Sequence, residues 1–342
     1  MTSAEVNDTA SITDSSLCRH GPSPGQPVQR TSIAAVSDAA LLSVRVRVPA
    51  KINLYLGVGD VREDGFHEIV TIFHAVDLAD EVLARVAGGL SVSVQGDEAH
   101  RVPEDSRNLA WKAAAMLAQR CELPPQAAIE ITKSIPVGGG MAGGSADAAA
   151  ALIACAQLWD TGSSRAELGE LAGELGSDVA FGLTGGTALG TGRGEVLSPV
   201  MTVGTFHWAL ALADAEISAA AAYRELDRLR DEQLVASVNE PAVPELMLEA
   251  LRSGDATLLA EHMHNDLEPA AISLMPELQA TLDAGWAAGA LTGIVSGSGP
   301  TCAFLAPTGP AAAEIAAALA ASGTCHSTKI TTGPVVGARV MR

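Results

Sequence analysis

Residues 134 to 147 read Ser-Ile-Pro-Val-Gly-Gly-Gly-Met-Ala-Gly-Gly-Ser-Ala-Asp, with Gly138, Gly139, Gly140, Gly143 and Gly144 inside seven positions. Without Cβ atoms the backbone can take positive φ and approach a ligand closely. Successive N–H groups along such a turn form an anion nest, and a helix starting behind it adds the positive end of its dipole. Ser145 adds a hydroxyl at that helix start. The chemistry this suits is the grip of a diphosphate or triphosphate by Pro136, Val137, Gly138, Gly139, Gly140, Met141, Ala142, Gly143, Gly144, Ser145 and Ala146. Three readings compete. One is a flexible turn and nothing more. A second is a dinucleotide fold: Gly138-x-Gly140-x-x-Gly143 fits that fingerprint literally, but the fingerprint needs a following strand ending in an acidic residue, and no such strand is patterned here. The third is a triphosphate loop of non-Walker type, since no lysine follows a glycine and no His-Arg-Asp occurs.

Phosphoryl transfer needs reactants in line, charge neutralised and a group to take or orient the acceptor's proton. Asp178, after Leu175-Gly-Ser and before an apolar segment, is the candidate base; a helix cap or turn aspartate is the alternative. Lys51 lies inside an alternating strand between apolar neighbours and is the candidate cation, against an exposed strand lysine. Asn53 falls on the same strand face. Ser296, Gly297, Ser298 and Gly299 make either a second N–H nest or a plain hairpin turn. His262 and His264, two apart on a helix, do not share a face, so no metal site is read there. Any Mg²⁺ is expected to arrive with a nucleotide and to be held mainly by phosphate oxygens and water.

The elements that must position these residues can be read from periodicity. Val44, Val46 and Val48 alternate with arginines, and Ile52, Leu54 and Leu56 alternate again after Pro49, predicting strands. Leu90, Val92 and Val94 repeat the pattern, and Ile129 and Ile131 mark a strand ending near Lys133. Ser106 is read as the cap of a helix from Asn108 to about Gln119. An Ala-rich helix follows the glycine loop to about Trp159. Ser164 and Glu167 form a capping box for the next helix, which Gly176 stops. A glycine-rich hairpin is expected over Gly185–Val196, and a strand over Phe206–Leu212. Helices are expected near Ala219–Ala236, Val243–Arg252, Ala256–Asn265 and Ala311–Ala321, with a strand–turn–strand over Gly293–Leu305. Antiparallel-type strands with segregated helices indicate an α+β fold and not a doubly wound sheet.

The chain has 342 residues, 48% hydrophobic, and carries 40 acidic against 21 basic residues for a formal charge of −19. That field repels nucleic acid and anionic lipid, so an anionic substrate needs local donors. Five irregularly spaced cysteines without C-x-x-C suggest reduced thiols, and neither a signal sequence nor a long apolar run is read, so a cytoplasmic protein is expected. Residues 1–40, rich in Ser, Thr, Pro and Gln, are read as a disordered tail. Domains are expected at 41–200 and 201–342.

The run from Pro136 to Asp147 resembles the second motif of the GHMP kinases (galactokinase, homoserine, mevalonate and phosphomevalonate kinases). Gly143-Gly144 replaces the paired serines of many members and is similar to the branch acting on 4-diphosphocytidyl-2-C-methyl-D-erythritol in the non-mevalonate isoprenoid pathway. Pro49-Ala-Lys-Ile-Asn-Leu-Tyr-Leu56 with Arg62-Glu-Asp-Gly-Phe-His67 resembles its first motif, and Ile294-Val-Ser-Gly-Ser-Gly-Pro-Thr-Cys302 its third. The resemblance implies a two-lobed fold: an N-terminal α/β lobe holding ATP, a ferredoxin-like C-terminal lobe, and substrate in the cleft. It implies ATP-dependent phosphorylation of the acceptor's 2-hydroxyl by Lys51 and Asp178, with ATP as co-substrate. It places Asn108 and Lys133 near the adenosine. Phe66 becomes a stacking face for the cytosine, His67 its hydrogen-bond partner, and Tyr223 the opposite face; Asn53, Gly297, Ser298 and Gly299 reach the substrate. Phe73 is similar to a substrate-side aromatic, although core packing also accounts for it. Other readings are a GHMP kinase with a small acceptor, homoserine or mevalonate, and a non-catalytic nucleotide-binding module; Phe66-His67 argues against the former and the Lys51–Asp178 pair against the latter.

Overall fold

Alternation of apolar residues through Val58 makes one 19-residue strand, β1 (Ser43–Val61), instead of two. Pro49 does not break it; the ladder to the next strand shifts register between Pro49 and Ala50, which absorbs the missing N–H. The computed structural model describes residues 43–96, 98–238 and 240–341, so the tail expected at 1–40 lies outside the described residues.

β1 turns at 62–66 into β2 (His67–Val86), and β3 (Ser91–Gly96) follows. Next come α1 (Leu109–Arg120), β4 (Ala127–Lys133), α2 (Gly143–Leu158), α3 (Arg165–Leu175) and α4 (Ser177–Thr184), then the hairpin β5 (Thr187–Thr191) and β6 (Val196–Pro199). The rest is β7 (Phe206–Leu212), α5 (Ala219–Asp231), α6 (Glu245–Ser253), α7 (Ala256–His262), β8 (His264–Asn265), α8 (Glu268–Leu274), α9 (Glu277–Ala287), β9 (Thr292–Val295), β10 (Cys302–Ala306), α10 (Gly309–Ser322), β11 (Ser327–Gly333) and β12 (Arg339–Val340).

Two sheets organise these elements. The first runs β12-β1-β2-β4-β3, with β5 on β2, β6 on β5 and β8 on β1. The second, β11-β7-β10-β9, is antiparallel throughout. This is the mixed α+β arrangement expected from the patterning. Helix α2 is buried on nearly every side: Ala148, Ala149, Ala150 and Ala151 are fully buried. Its small side chains let it lie tightly against β1, β2 and α1, which is the packing reason for its alanine content.

Local capping explains several boundaries. Ser164 and Glu167 form the expected capping box, and Gly176 ends α3 at φ 151°. Asn108, not Ser106, caps α1, its Oδ1 accepting from the Ala110 N–H. Periodicity missed α4, α8 and α9, and His264–Asn265, assigned to a helix end, pairs with β1 as strand β8. Among the described residues no helix is long and apolar enough to cross a membrane, and Cys121, Cys155, Cys302 and Cys325 are free thiols.

Candidate active site

The glycine loop joins β4 to α2 and takes positive φ at Gly138 (68°), Gly140 (73°) and Ala142 (61°). The first turn of α2 begins with the Ala146 N–H donating to Ala142 O at 2.8 Å. The N–H groups of Gly143, Gly144 and Ser145 therefore have no partner within the helix and form its positive end. Glycine at 140 is a steric requirement, because a Cβ there would stand 2.0 Å from the Ser296 carbonyl oxygen.

A buried charge cluster fixes the start of the loop. Asp80 accepts from the Ile135 N–H at 2.9 Å and from Lys133 Nζ, which also donates to Asp147 Oδ2 at 2.8 Å. Burial pushes Asp147 well above the usual carboxylate range, against the pull of Lys133. Burial also works against the Lys133 ammonium, but Asp147 and Asp80 outweigh it and hold its pKa above the ordinary value. The cluster ties β2, β4 and α2 together directly behind the loop.

The first and third motifs meet on one atom of this loop. Lys51 Nζ, from β1, donates to the Gly140 carbonyl oxygen at 3.0 Å, and Ser296 Oγ donates to the same oxygen at 3.2 Å. Lys51 also donates to Asn53 Oδ1 at 2.6 Å, while Asn53 Nδ2 donates to Thr71 Oγ1 at 2.8 Å. Asn265 Nδ2 donates to the carbonyls of Val295 and Gly297 at 2.8 and 2.7 Å, pinning the third-motif turn in place. Burial lowers the Lys51 pKa, and the charge of Asp178 offsets part of that effect. Asp178 sits in the first turn of α4, behind the Gly176 break. It shares with Lys51 a cavity of about 690 Å3. Among the described residues the two are not within ion-pairing distance of 4.0 Å, so Asp178 acts on Lys51 through space and not through a salt bridge.

The far end of the cavity is aromatic. His67 stacks on Tyr223 with centroids 4.9 Å apart and rings 26° from parallel. His67 Nε2 lies 2.8 Å from Asp227 Oδ1, and burial pushes the Tyr223 hydroxyl up to about 12. Phe66 is 53% exposed, with the Arg193 guanidinium 4.9 Å above its ring.

A second cavity of about 270 Å3 is lined by Asn108, Lys133, Val137, Gly138 and Gly144 among others. Gly140 and Ala142 face the larger cavity, so the loop runs between the two.

Comparison with known proteins shows which family the chain resembles. The model of the GHMP kinases N-terminal domain matches residues 108–188 and that of the C-terminal domain matches 247–325. A 4-diphosphocytidyl-2-C-methyl-D-erythritol kinase of Mycolicibacterium gilvum is 54% identical over 87% of this chain and 93% of its own length. The enzyme of the same description from Mycobacterium tuberculosis is 53% identical over the same shares of the two chains. A crystal structure of a 4-(cytidine 5'-diphospho)-2C-methyl-D-erythritol kinase superposes with a TM-score of 0.68 at 33% identity, covering 84% of this chain and 98% of that one. The chain belongs to the GHMP kinases. Its place among them is with the 4-diphosphocytidyl-2-C-methyl-D-erythritol kinases. A homoserine kinase from Cytophaga hutchinsonii, at 22% identity and a TM-score of 0.67, shares the fold.

Among these GHMP kinase motifs, the structure gathers Lys51, Asn53, Phe66, His67, Phe73, Gly140, Ala142, Asp178, Tyr223, Gly297 and Ser298 around one cavity. Other expected residues stand differently. Met141 is fully buried in the core. Pro136, Gly139, Gly143, Ser145 and Ala146 line neither cavity, and Gly299 lies behind its turn against Val295. Lys133 borders the smaller cavity, but its ammonium is engaged by two carboxylates. Asn108 spends its amide on the helix cap and on the Pro103 carbonyl. Tyr223 presents a face to His67, where an arrangement opposite Phe66 was expected. The sequence reading missed Asp80, Thr71, Asp227, Arg193 and Arg224, and assigned Asp147 no role. Asp227 had a usable signal, lying four residues after Tyr223 on one helix face. Asp80 and Arg193 had none, because only the fold brings them to the loop and the cavity.

Proposed function

We propose that this chain transfers the γ-phosphoryl group of ATP to the 2-hydroxyl of 4-diphosphocytidyl-2-C-methyl-D-erythritol, giving the 2-phosphate and ADP. Identity above 50% to kinases of that description, over most of both chains, supports the substrate. The observation that supports the site is the meeting of Lys51 and Ser296 on the Gly140 carbonyl, with Asp178 across the same cavity.

In this reading the amides of the glycine loop and the start of α2 hold the phosphates between the two cavities, with adenosine toward Asn108 and the acceptor toward Phe66. The 2-hydroxyl oxygen attacks the γ-phosphorus, and the bond to the β,γ-bridging oxygen breaks as ADP leaves. Asp178 accepts the hydroxyl proton. Lys51, aimed by Asn53 and the Gly140 carbonyl, neutralises charge on the transferred group. Mg²⁺ would enter with ATP, held mainly by phosphate oxygens and water, and would supply charge neutralisation on the phosphates.

The test is ADP release with an acceptor panel of 4-diphosphocytidyl-2-C-methyl-D-erythritol, homoserine and mevalonate. Turnover of the first alone is expected. Preference for either small acceptor, or ATP binding with no turnover of any, would overturn the reading.

A further inference from the structure

Arg193 is absent from all three motifs, yet the fold builds a place for it. It stands on the β5–β6 turn at the rim of the larger cavity. That turn is stitched to the first-motif hairpin: the Ile69 N–H donates to Gly192 O at 2.8 Å, and the Gly192 N–H donates to Glu68 Oε1 at 3.1 Å. The Arg193 N–H donates to Glu195 Oε2 at 2.6 Å, fixing the backbone, while the guanidinium lies over Phe66. A guanidinium held over an aromatic face by cation–π attraction still has N–H donors to offer and loses less rotamer freedom on binding than an unanchored one. Its carboxylate partner is loose, with Nε 3.7 Å from Glu195 Oε1.

Charge then decides what those donors are for. The cavity wall carries the carboxylates Glu174, Asp178, Glu195 and Asp227, in a chain of formal charge −19. Lys51 is committed to the Gly140 carbonyl and Asn53 at the reacting end. An acceptor bearing a diphosphate needs a cation elsewhere on the wall, and the remaining two are Arg193 and Arg224. Only Arg193 is oriented by an aromatic ring among the contacts described.

The geometry points to Arg193 as a substrate-binding residue that pairs with the diphosphate of the nucleotide-linked acceptor, with Phe66 as the platform that orients it. This deepens the function proposed above and rests on its acceptor carrying a cytidine diphosphate. A guanidinium matches two phosphate oxygens in bidentate fashion, which an ammonium cannot reproduce.

The experiment compares the full-length wild type with Arg193→Ala, Arg193→Lys and Arg224→Ala. Steady-state kinetics yield KM for acceptor and for ATP, and calorimetry yields affinities for CDP and cytidine. Arg193→Ala is expected to raise the acceptor KM by about 10- to 100-fold, with the ATP KM unchanged and a lysine rescuing only partly. It should also erase the preference for CDP over cytidine, which a structural lesion alone would not single out. An acceptor KM within twofold of wild type, or an unchanged CDP preference, overturns the assignment, as does a larger loss in Arg224→Ala. Calorimetry keeps this separate from the function itself: failure of wild type to turn over the acceptor sinks the proposed reaction, while the CDP comparison still decides Arg193.

Discussion

Lys51 and Asp178 illustrate what a single side chain can do once its surroundings are fixed. The Lys51 ammonium is sequestered, and burial lowers its pKa below the ordinary 10.5, with Asp178 opposing. Catalysis by the charged form should therefore be complete on the acid side of that pKa and fade as pH rises through it. The alkaline limb of kcat/KM is expected below pH 10.5, and Asp178→Asn should move it lower still, since the raising charge is gone. A limb unmoved by that substitution would detach Lys51 from the rate. Asp178→Asn should also cut kcat by about 100-fold or more, as for loss of a general base. ATP affinity, measured by calorimetry, should stay within a few-fold, because the proposed function assigns the phosphates to the loop amides and not to Asp178.

At the scale of elements, the glycine loop is held by neighbours that it touches through backbone. Gly140 combines φ of 73° with a Cβ position 2.0 Å from the Ser296 carbonyl. A backbone oxygen cannot swing aside as a flexible side chain can. Gly140→Ala should destabilise the protein by about 1–3 kcal/mol or more and raise the KM for ATP. Gly144→Ala is the control for stability, since its added methyl would meet only Leu109 Cδ1, at 3.8 Å. Thermal melts should place Gly140→Ala well below wild type and Gly144→Ala beside it; equal melting temperatures would show that the loop is not locked as described. The capping box of α3 and the Gly176 stop have a similar positional effect, because they end one helix so that the next starts with Asp178 in its first turn.

Across the whole molecule, the two sheets meet around a buried histidine. His74 on β2 places Nδ1 2.9 Å from Thr187 Oγ1, and its ring lies 5.9 Å from those of both Phe206 and Trp208 on β7. Burial pushes its pKa down to about 3; the backbone of Gly333 on β11 opposes this, though Nε2 makes no hydrogen bond of good geometry. Because the folded value lies below the unfolded one, the unfolded chain binds the proton more readily between the two. Stability is then full above pH 6.5 and declines as pH falls toward 3. The loss from this group is about 2 kcal/mol at pH 5. Denaturant titrations at pH 5 and pH 8 should show it in wild type, and His74→Gln should flatten the difference; an equally steep decline in the variant would assign the effect to other groups.

The kinase reading and the pair Lys51 and Asp178 came from the resemblance of three ordered motifs to the GHMP kinases, since residue by residue a strand lysine and a helix-cap aspartate stayed open; the chain order alone carried the glycine loop, a local signal of five glycines at close spacing. It also carried the α+β class, since period-two and helical patterns are short-range properties. Local signals could not show that the Lys133 ammonium is spent on Asp80 and Asp147, or that His67 faces Tyr223. Each depends on a partner from another element, in the case of Asp80 and Lys133 separated by 53 positions in the chain. The same holds for Arg193, which reaches the cavity only because β5 pairs with β2. Short-range patterning determines which elements form. Burial and pairing between distant elements decide which of their charges remain available to a ligand.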